Sequence, residues 1–215
     1  SKGILLDESK PQFAAEDEDR REWGFVLHVM NADGTGIRQI SFNQSHDLDP
    51  AVLPDGRIVF TRWDNAGPSG MHLYTINPDG SNLQLLYGAN SHGTGSNGST
   101  IQFLSPRPRP DGRVVALARP FGGTELGGDL VLIDTATYVE NEQPTAANAG
   151  MAGPAQSRLT INDVRTVTGV SPGGRYASVY PLWDGTNRLL VSWSQCRLLD
   201  RTRIVPCTDA AIATG

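Results

Sequence analysis

Residues 48–60 read LDPAVLPDGRIVF, and within them Pro54-Asp55-Gly56-Arg57 leads into Ile58-Val59-Phe60. The phrase returns as Pro110-Asp111-Gly112-Arg113 before Val114-Val115-Ala116. It returns again, altered, as Pro172-Gly173-Gly174-Arg175 before Tyr176-Ala177-Ser178. Each time a turn-forming pair opens a strand of β-branched, aromatic or small apolar residues.

A second phrase recurs between these anchors. HVMNADG (28–34) and YTINPDG (74–80) each carry an apolar strand into an Asp-Gly turn, and LVLIDT (130–135) runs into Asp-Thr. Short strands follow the first two turns, Ile37-Arg38-Gln39-Ile40 and Leu83-Gln84-Leu85-Leu86. The glycine supplies the positive φ that a two-residue hairpin needs. Apolar and polar residues alternate as in antiparallel strands. One unit therefore reads as four strands, one on each side of each turn. Four short antiparallel strands in about 45–60 residues is the signature of a β-propeller blade.

The expected fold is all-β, a partial propeller of four-stranded antiparallel blades with about three and three-quarter blades present. The chain reads as a single propeller segment: a partial blade over 1–43, then blades over 44–88, 89–160 and 161–208. In the first, Gly3–Ser9 is expected as the second strand, with 25–31 and 37–41 as the third and fourth. A β-sandwich uses the same kinds of strand, but it does not require a repeated turn phrase. The charged segment 8–23 reads as a solvent loop or a short surface helix. Residues 139–156, rich in Ala, Gly, Asn and Pro, read as a long loop.

Composition points the same way. The 215 residues suffice for one all-β domain or two small ones, and 24 Gly with 14 Pro suit many tight turns. A net charge of −5 and the lack of a basic stripe argue against nucleic acid as a partner. No apolar run approaches the roughly 20 residues of a membrane span. Cys196 and Cys207 form neither C-x-x-C nor C-x-x-C-H, so no zinc or haem motif is present. Cys196 ends the strand LLVSWSQC and Cys207 ends IVPC, with a turn at Leu199–Arg203 between them. That places the two cysteines across an antiparallel pair. A disulfide is expected, in an oxidising periplasmic or extracellular setting. The alternative is two free thiols packed against apolar neighbours.

The succession of LDPAVLPDGRIVF and MHLYTINPDGSNLQLL resembles the TolB-like propeller repeat over most of 25–135, with a degenerate copy at 165–199. More narrowly, four strings resemble the propeller (middle) region of hydrazine synthase alpha-subunit-like proteins. They are LDPAVLPDGRIVFTRWDN, LYTINPDGSNLQLLYGANSH, PRPRPDGRVVALARPFGG and GGDLVLIDTATY. The first resemblance implies a fold and little about function. The second implies an exported bacterial protein related to an enzyme that carries c-type haems. Without C-x-x-C-H here, any haem is expected outside this segment, and no cofactor within it.

Propellers bind ligands near the central channel, where the loops between blades gather. The candidates there are His46, Asp47 and Asp49 before blade two, Arg62 and Asp64 after its second strand, and His92, Arg107 and Arg119 in blade three. Asp184 stands in blade four where Asp64 stands in blade two. Asp47 and Asp49 alternate around Leu48, so both are expected on one side of an extended segment. A mixed-charge rim of this kind can take a metal, a carboxylate or a partner loop. The plainer reading is that these residues cap turns and pair between blades. The residues leave the identity of any metal unknown. Asn31-Ala32-Asp33-Gly34-Thr35 offers structural calcium a partial loop without the later bidentate Glu, and a hairpin turn explains it too. GTGSNG (93–98) matches G-x-G-x-x-G but leads into an extended stretch, which favours a flexible loop over a dinucleotide site. His28 and His72 sit beside apolar residues and read as packed or edge histidines. No G-x-S-x-G elbow occurs.

Three functions remain. One is a non-catalytic binding scaffold that engages a protein partner or ligand at the channel face. The second is the propeller part of a larger haem-containing redox enzyme. The third is a gating propeller of a hydrolase. The first is preferred because no catalytic constellation appears. An open arc would leave sheet edges and apolar faces bare. The remainder of the same polypeptide, or a second chain, is therefore expected to complete the ring.

Overall fold

The Asp-Gly phrases fold as one repeated device in a computed structural model of the chain, which describes residues 4–5, 21, 23–64, 70–122, 126–134 and 155–214. Asp33, Asp55, Asp79, Asp111 and Asp184 each accept, through Oδ1, the backbone N–H of the residue two positions on, at 3.0–3.1 Å. The glycine after each aspartate has φ between 77° and 86°. The side chain thus pins the turn while glycine takes the left-handed backbone that a Cβ would strain. At the altered phrase, a Cβ on Gly173 would lie 2.5–2.7 Å from the Asp163 backbone. No aspartate fits there, which explains the degenerate copy.

These turns join antiparallel strands into sheets. Sheet one contains β1 (Ile4–Leu5), β2 (His28–Val29) and β3 (Arg38–Gln39) in the order β1-β3-β2. Sheet two is a meander of β4 (Asp47–Val52), β5 (Ile58–Asp64), β6 (Gly70–Ile76) and β7 (Gln84–Tyr87). Sheet three repeats it with β8 (Ile101–Pro108), β9 (Val114–Pro120), β10 (Asp129–Ile133) and β11 (Gln156–Arg158). Sheet four pairs β12 (Arg175–Pro181) with β13 (Leu189–Ser194). A separate hairpin pairs β14 (Arg197–Asp200) with β15 (Arg203–Pro206), and a short helix α1 (Asp209–Thr214) follows.

The sheets pack face to face in series, and side-chain alternation assigns each residue to one neighbour. On β9 and β10, Val114, Ala116, Ala118, Val131 and Ile133 join Val59, Leu73 and Tyr87 of sheet two, with Ile101 and Phe103 of β8. The intervening Val115, Leu117, Leu130 and Leu132 pack on Val164, Tyr176 and Val179. The other face of sheet two sets Ile58, Phe60 and Ile76 against Leu27 and Ile40. Each fully buried Val, Leu, Ile or Phe contributes about 1.5–3 kcal/mol.

Two expectations change. Gly3–Ser9 was expected to pair with the third strand of its blade, yet Ile4 and Leu5 pair with Gln39 and Arg38 of β3. Both residues of β2 are exposed, whereas Gln39 and Ile40 are buried, so β3 offers the edge with a core behind it. The last span was expected as four strands. Instead β13 and β15 lie in separate sheets. Only Gln195 and Cys196 separate β13 from β14, so the chain runs on and reverses later, with Arg201 at φ 53°. The Cys196–Cys207 disulfide closes the base of that hairpin, one step beyond the Arg197–Pro206 pair. The loop expected at 139–156 falls mostly outside the described residues.

Phe103→Ala is expected to destabilise the protein by about 3–5 kcal/mol in urea unfolding, because Phe103 is fully buried between sheets two and three. Leu199→Ala, at an exposed hairpin position, should change stability by less than about 0.5 kcal/mol. Alkylation of the native, non-reduced protein should label no cysteine; two labels per chain would contradict the disulfide.

Candidate functional site

The face of sheet two that carries Ile58 and Phe60 turns polar toward one end. The β5–β6 register sets Arg62 opposite His72 and Asp64 opposite Gly70, and places Tyr74 two residues further along β6. Period-two alternation therefore gathers Arg62, Asp64, His72 and Tyr74 on one face. His72 Nε2 lies 3.1 Å from Asp64 Oδ2, and the Tyr74 hydroxyl donates to the same oxygen. His72 Nδ1 lies 3.3 Å from Nε2 of His92, whose Nδ1 donates to the Ile101 carbonyl at 2.6 Å. The result is a continuous chain: Ile101 C=O, His92, His72, Asp64, Tyr74.

A second group adjoins it. The Arg62 guanidinium lies 5.3 Å from the Tyr74 ring centroid and donates to Asn43 Oδ1 at 3.1 Å. Its Nε is 3.7 Å from Oδ1 of Asp47, whose side chain is fully buried. Asn43 donates to that Asp47 oxygen at 3.3 Å and to the His46 and Trp63 carbonyls. Burial pushes the Asp47 carboxyl above the ordinary carboxylate range, against the pull of Ser41, Arg62 and Asn43. Burial lowers the His72 pKa, with Asp64 opposing. Burial also raises the Tyr74 phenol, as do its bond to Asp64 and that carboxylate's charge, so Tyr74 stays protonated. Asp47 Oδ2 and Arg62 Nη1 are buried without a protein partner.

The other candidates lie elsewhere. His46 is buried, accepts the Phe25 N–H at Nδ1, and packs between the Phe25 and Trp63 rings. Asp47 and Asp49 do not share a side. A bulge between Leu48 and Ala51 breaks the alternation, Asp49 takes φ 54°, and its Oδ2 accepts from Ser105 on β8 at 2.7 Å. Arg107 donates to the carbonyls of Asp49 and Pro106. Arg119, on β9, lies opposite Gln102 of β8. Asp184 caps its own turn, holding Thr186 and Arg188. Among the described residues no group of three or more His, Cys, Asp or Glu is arranged to hold a metal ion. In the Asn31–Thr35 turn, Asp33 Oδ1 is engaged by Thr35.

The GTGSNG loop forms two 3-10 turns, His92–Thr94 and Ser96–Gly98, and clasps the irregular segment around Thr166. Ser96 N–H donates to Thr166 Oγ1 at 2.8 Å, Thr166 N–H donates to Ser96 Oγ at 3.1 Å, and Ser99 Oγ donates to the Thr166 carbonyl. The N–H groups of Thr94, Gly95, Ser96 and Gly98 are thus engaged by protein. Where β4, β8 and β12 approach one another lies an open cleft of about 490 Å³, lined by Pro50 and Val52, Arg107, Tyr180 and Trp183. Tyr180 and Trp183 are both more than half exposed. Sequence reasoning missed His72 and Tyr74 as partners of Asp64; the β5–β6 hairpin register was the signal that joins them.

No protein-family model matches this chain, and no curated protein matches it. Among solved structures it is similar to Kuenenia stuttgartiensis hydrazine synthase. The TM-score is 0.50 at 23% identity, covering 79% of this chain and 19% of that one. The likeness is one of fold, and the chain spans about a fifth of that protein's length.

A raised carboxyl pKa means that the folded state keeps the Asp47 proton where the unfolded chain has lost it. Folding therefore loses stability as pH rises from the ordinary value of 3.8 through the raised one. The stability of Asp47→Asn relative to wild type is expected to improve from about pH 4 to about pH 7, measured by urea unfolding. A flat or falling difference would contradict burial as the dominant influence on this carboxyl.

Proposed function

We propose that this chain is a segment of a β-propeller in an exported bacterial protein and serves as a non-catalytic binding scaffold that engages a protein partner at the channel face. The observation that carries the reading is the cleft where β4, β8 and β12 approach one another. Arg107 donates to two main-chain carbonyls, and Tyr180 and Trp183 stand exposed beside it. Arginine with aromatic neighbours is the composition of interface hot spots. The propeller reading draws support from the two four-stranded meanders and from the serial face-to-face packing. An exported setting is supported by the disulfide. No described helix is long and apolar enough to cross a membrane.

On the same reading, further propeller strands cover the bare outer faces, from the remainder of the polypeptide or from a second chain. Trp23 and Phe25 stand exposed beside sheet one. The second reading, the propeller part of a larger haem-containing redox subunit, is favoured by one observation: the fold likeness to hydrazine synthase.

The test uses the full-length gene product in cells that export it, with a photo-crosslinking phenylalanine analogue at Tyr180. A discrete adduct with another polypeptide, lost in Arg107→Glu, is the expected result. No adduct, or one indifferent to Arg107→Glu, contradicts the channel-face reading. Covalent haem in the same purified product would favour the second reading.

A further inference from the structure

The chain from Ile101 to Asp64 does not have enough protons when both histidines are neutral. It contains three hydrogen-bond contacts: His92 Nδ1 to the Ile101 carbonyl at 2.6 Å, His92 Nε2 to His72 Nδ1 at 3.3 Å, and His72 Nε2 to Asp64 Oδ2 at 3.1 Å. Both ends are pure acceptors, a carbonyl and a carboxylate. Each contact needs one hydrogen, and two neutral imidazoles bring two. The Tyr74 hydroxyl also donates to Asp64 Oδ2, so it supplies nothing to His72. A third proton must enter for all three contacts to form.

When that proton is absent, one contact must fail, and the acceptors decide which. The carboxylate takes the stronger, charge-assisted bond, and the carbonyl contact is the shortest of the three. The hydrogen therefore goes missing in the middle, where two ring lone pairs face each other at 3.3 Å. This middle contact joins β6 of sheet two to the loop that leads into β8. Space for it is reserved by two glycines. A Cβ on Gly70 would lie 2.7 Å from His92 Nε2, and one on Gly88 would lie 2.8 Å from the His72 Cβ.

We propose that His72 and His92 form a proton-operated latch: one proton taken up between the two imidazoles fastens the 88–100 loop to sheet two, and its loss releases the loop. Asp64 holds the proton in place from β5. Arg62 on the same face opposes it, as does burial of His72, while the buried Asp47 and the phenol of Tyr74 complete the surroundings. Because Ser96 and Ser99 of the loop clasp Thr166, the latch also acts on the segment that enters sheet four. The inference is independent of what the channel face binds.

Hydrogen exchange of the intact chain reads the latch directly. Protection factors of the Gly95, Ser96 and Ser99 amides, corrected for intrinsic rates, are expected to fall about tenfold between about pH 4.5 and pH 8, a loss of one hydrogen bond whose midpoint lies on the acid side of the ordinary 6.5 because burial of His72 disfavours the proton. Asp64→Asn should abolish this fall and keep the loop protected at high pH, because the amide N–H₂ can donate to His72 Nε2 and supply the missing hydrogen. His92→Gln, at a partly exposed position, should give protection that does not vary with pH. A wild-type loop with pH-independent protection overturns the proposal. So does an Asp64→Asn variant that retains the wild-type fall.

Discussion

Sheet three is covered on both faces, and the arrangement of the whole chain follows from that. Five consecutive residues of β10 are buried, as are the first five of β9. A strand can bury every residue only if alternate side chains enter two different cores. Val131 and Ile133 look toward sheet two, and Leu130 and Leu132 toward sheet four. Sheets two and four are thereby held on opposite sides of a common wall. Sheet two repeats the solution with its own second face, which receives Leu27 and Ile40.

The same alternation that builds the cores also builds the polar cluster. Ile58, Phe60, Arg62 and Asp64 occupy successive same-side positions of β5, so one face passes from apolar core to ionic network within a single strand. Buried charges require partners. Asp47 finds Arg62 and Asn43, and His72 finds Asp64 and His92. The network sits where the loop between sheets two and three crosses the sheet end. That position lets a local protonation event bear on how neighbouring sheets are fastened together.

The turn phrases made the strands legible, because an Asp side chain followed by glycine has one economical geometry and the sequence repeats it. Asp184 belonged to that device, although its spacing suggested a site residue. The disulfide was legible because the strand pattern brought Cys196 and Cys207 opposite each other. The bulge at Asp49 was not legible: Leu48, Asp49 and Pro50 read as a regular strand, and only contact with Ser105 of the neighbouring sheet shows where the carboxylate goes. His72 was read as a packed histidine, which its burial bears out, but its partners come from another strand and another loop. Pairing across sheets is a tertiary property, and no local pattern encodes it.

Neighbouring residues on β10 serve different sheets. Methyl–aromatic nuclear Overhauser contacts on β10 test it most directly. Leu130 and Leu132 methyls are expected to contact the Tyr176 ring, while Val131 and Ile133 methyls contact Phe103 or Tyr87. Contacts from Leu130 to Phe103 or Tyr87, or none from Leu130 to Tyr176, would contradict serial stacking.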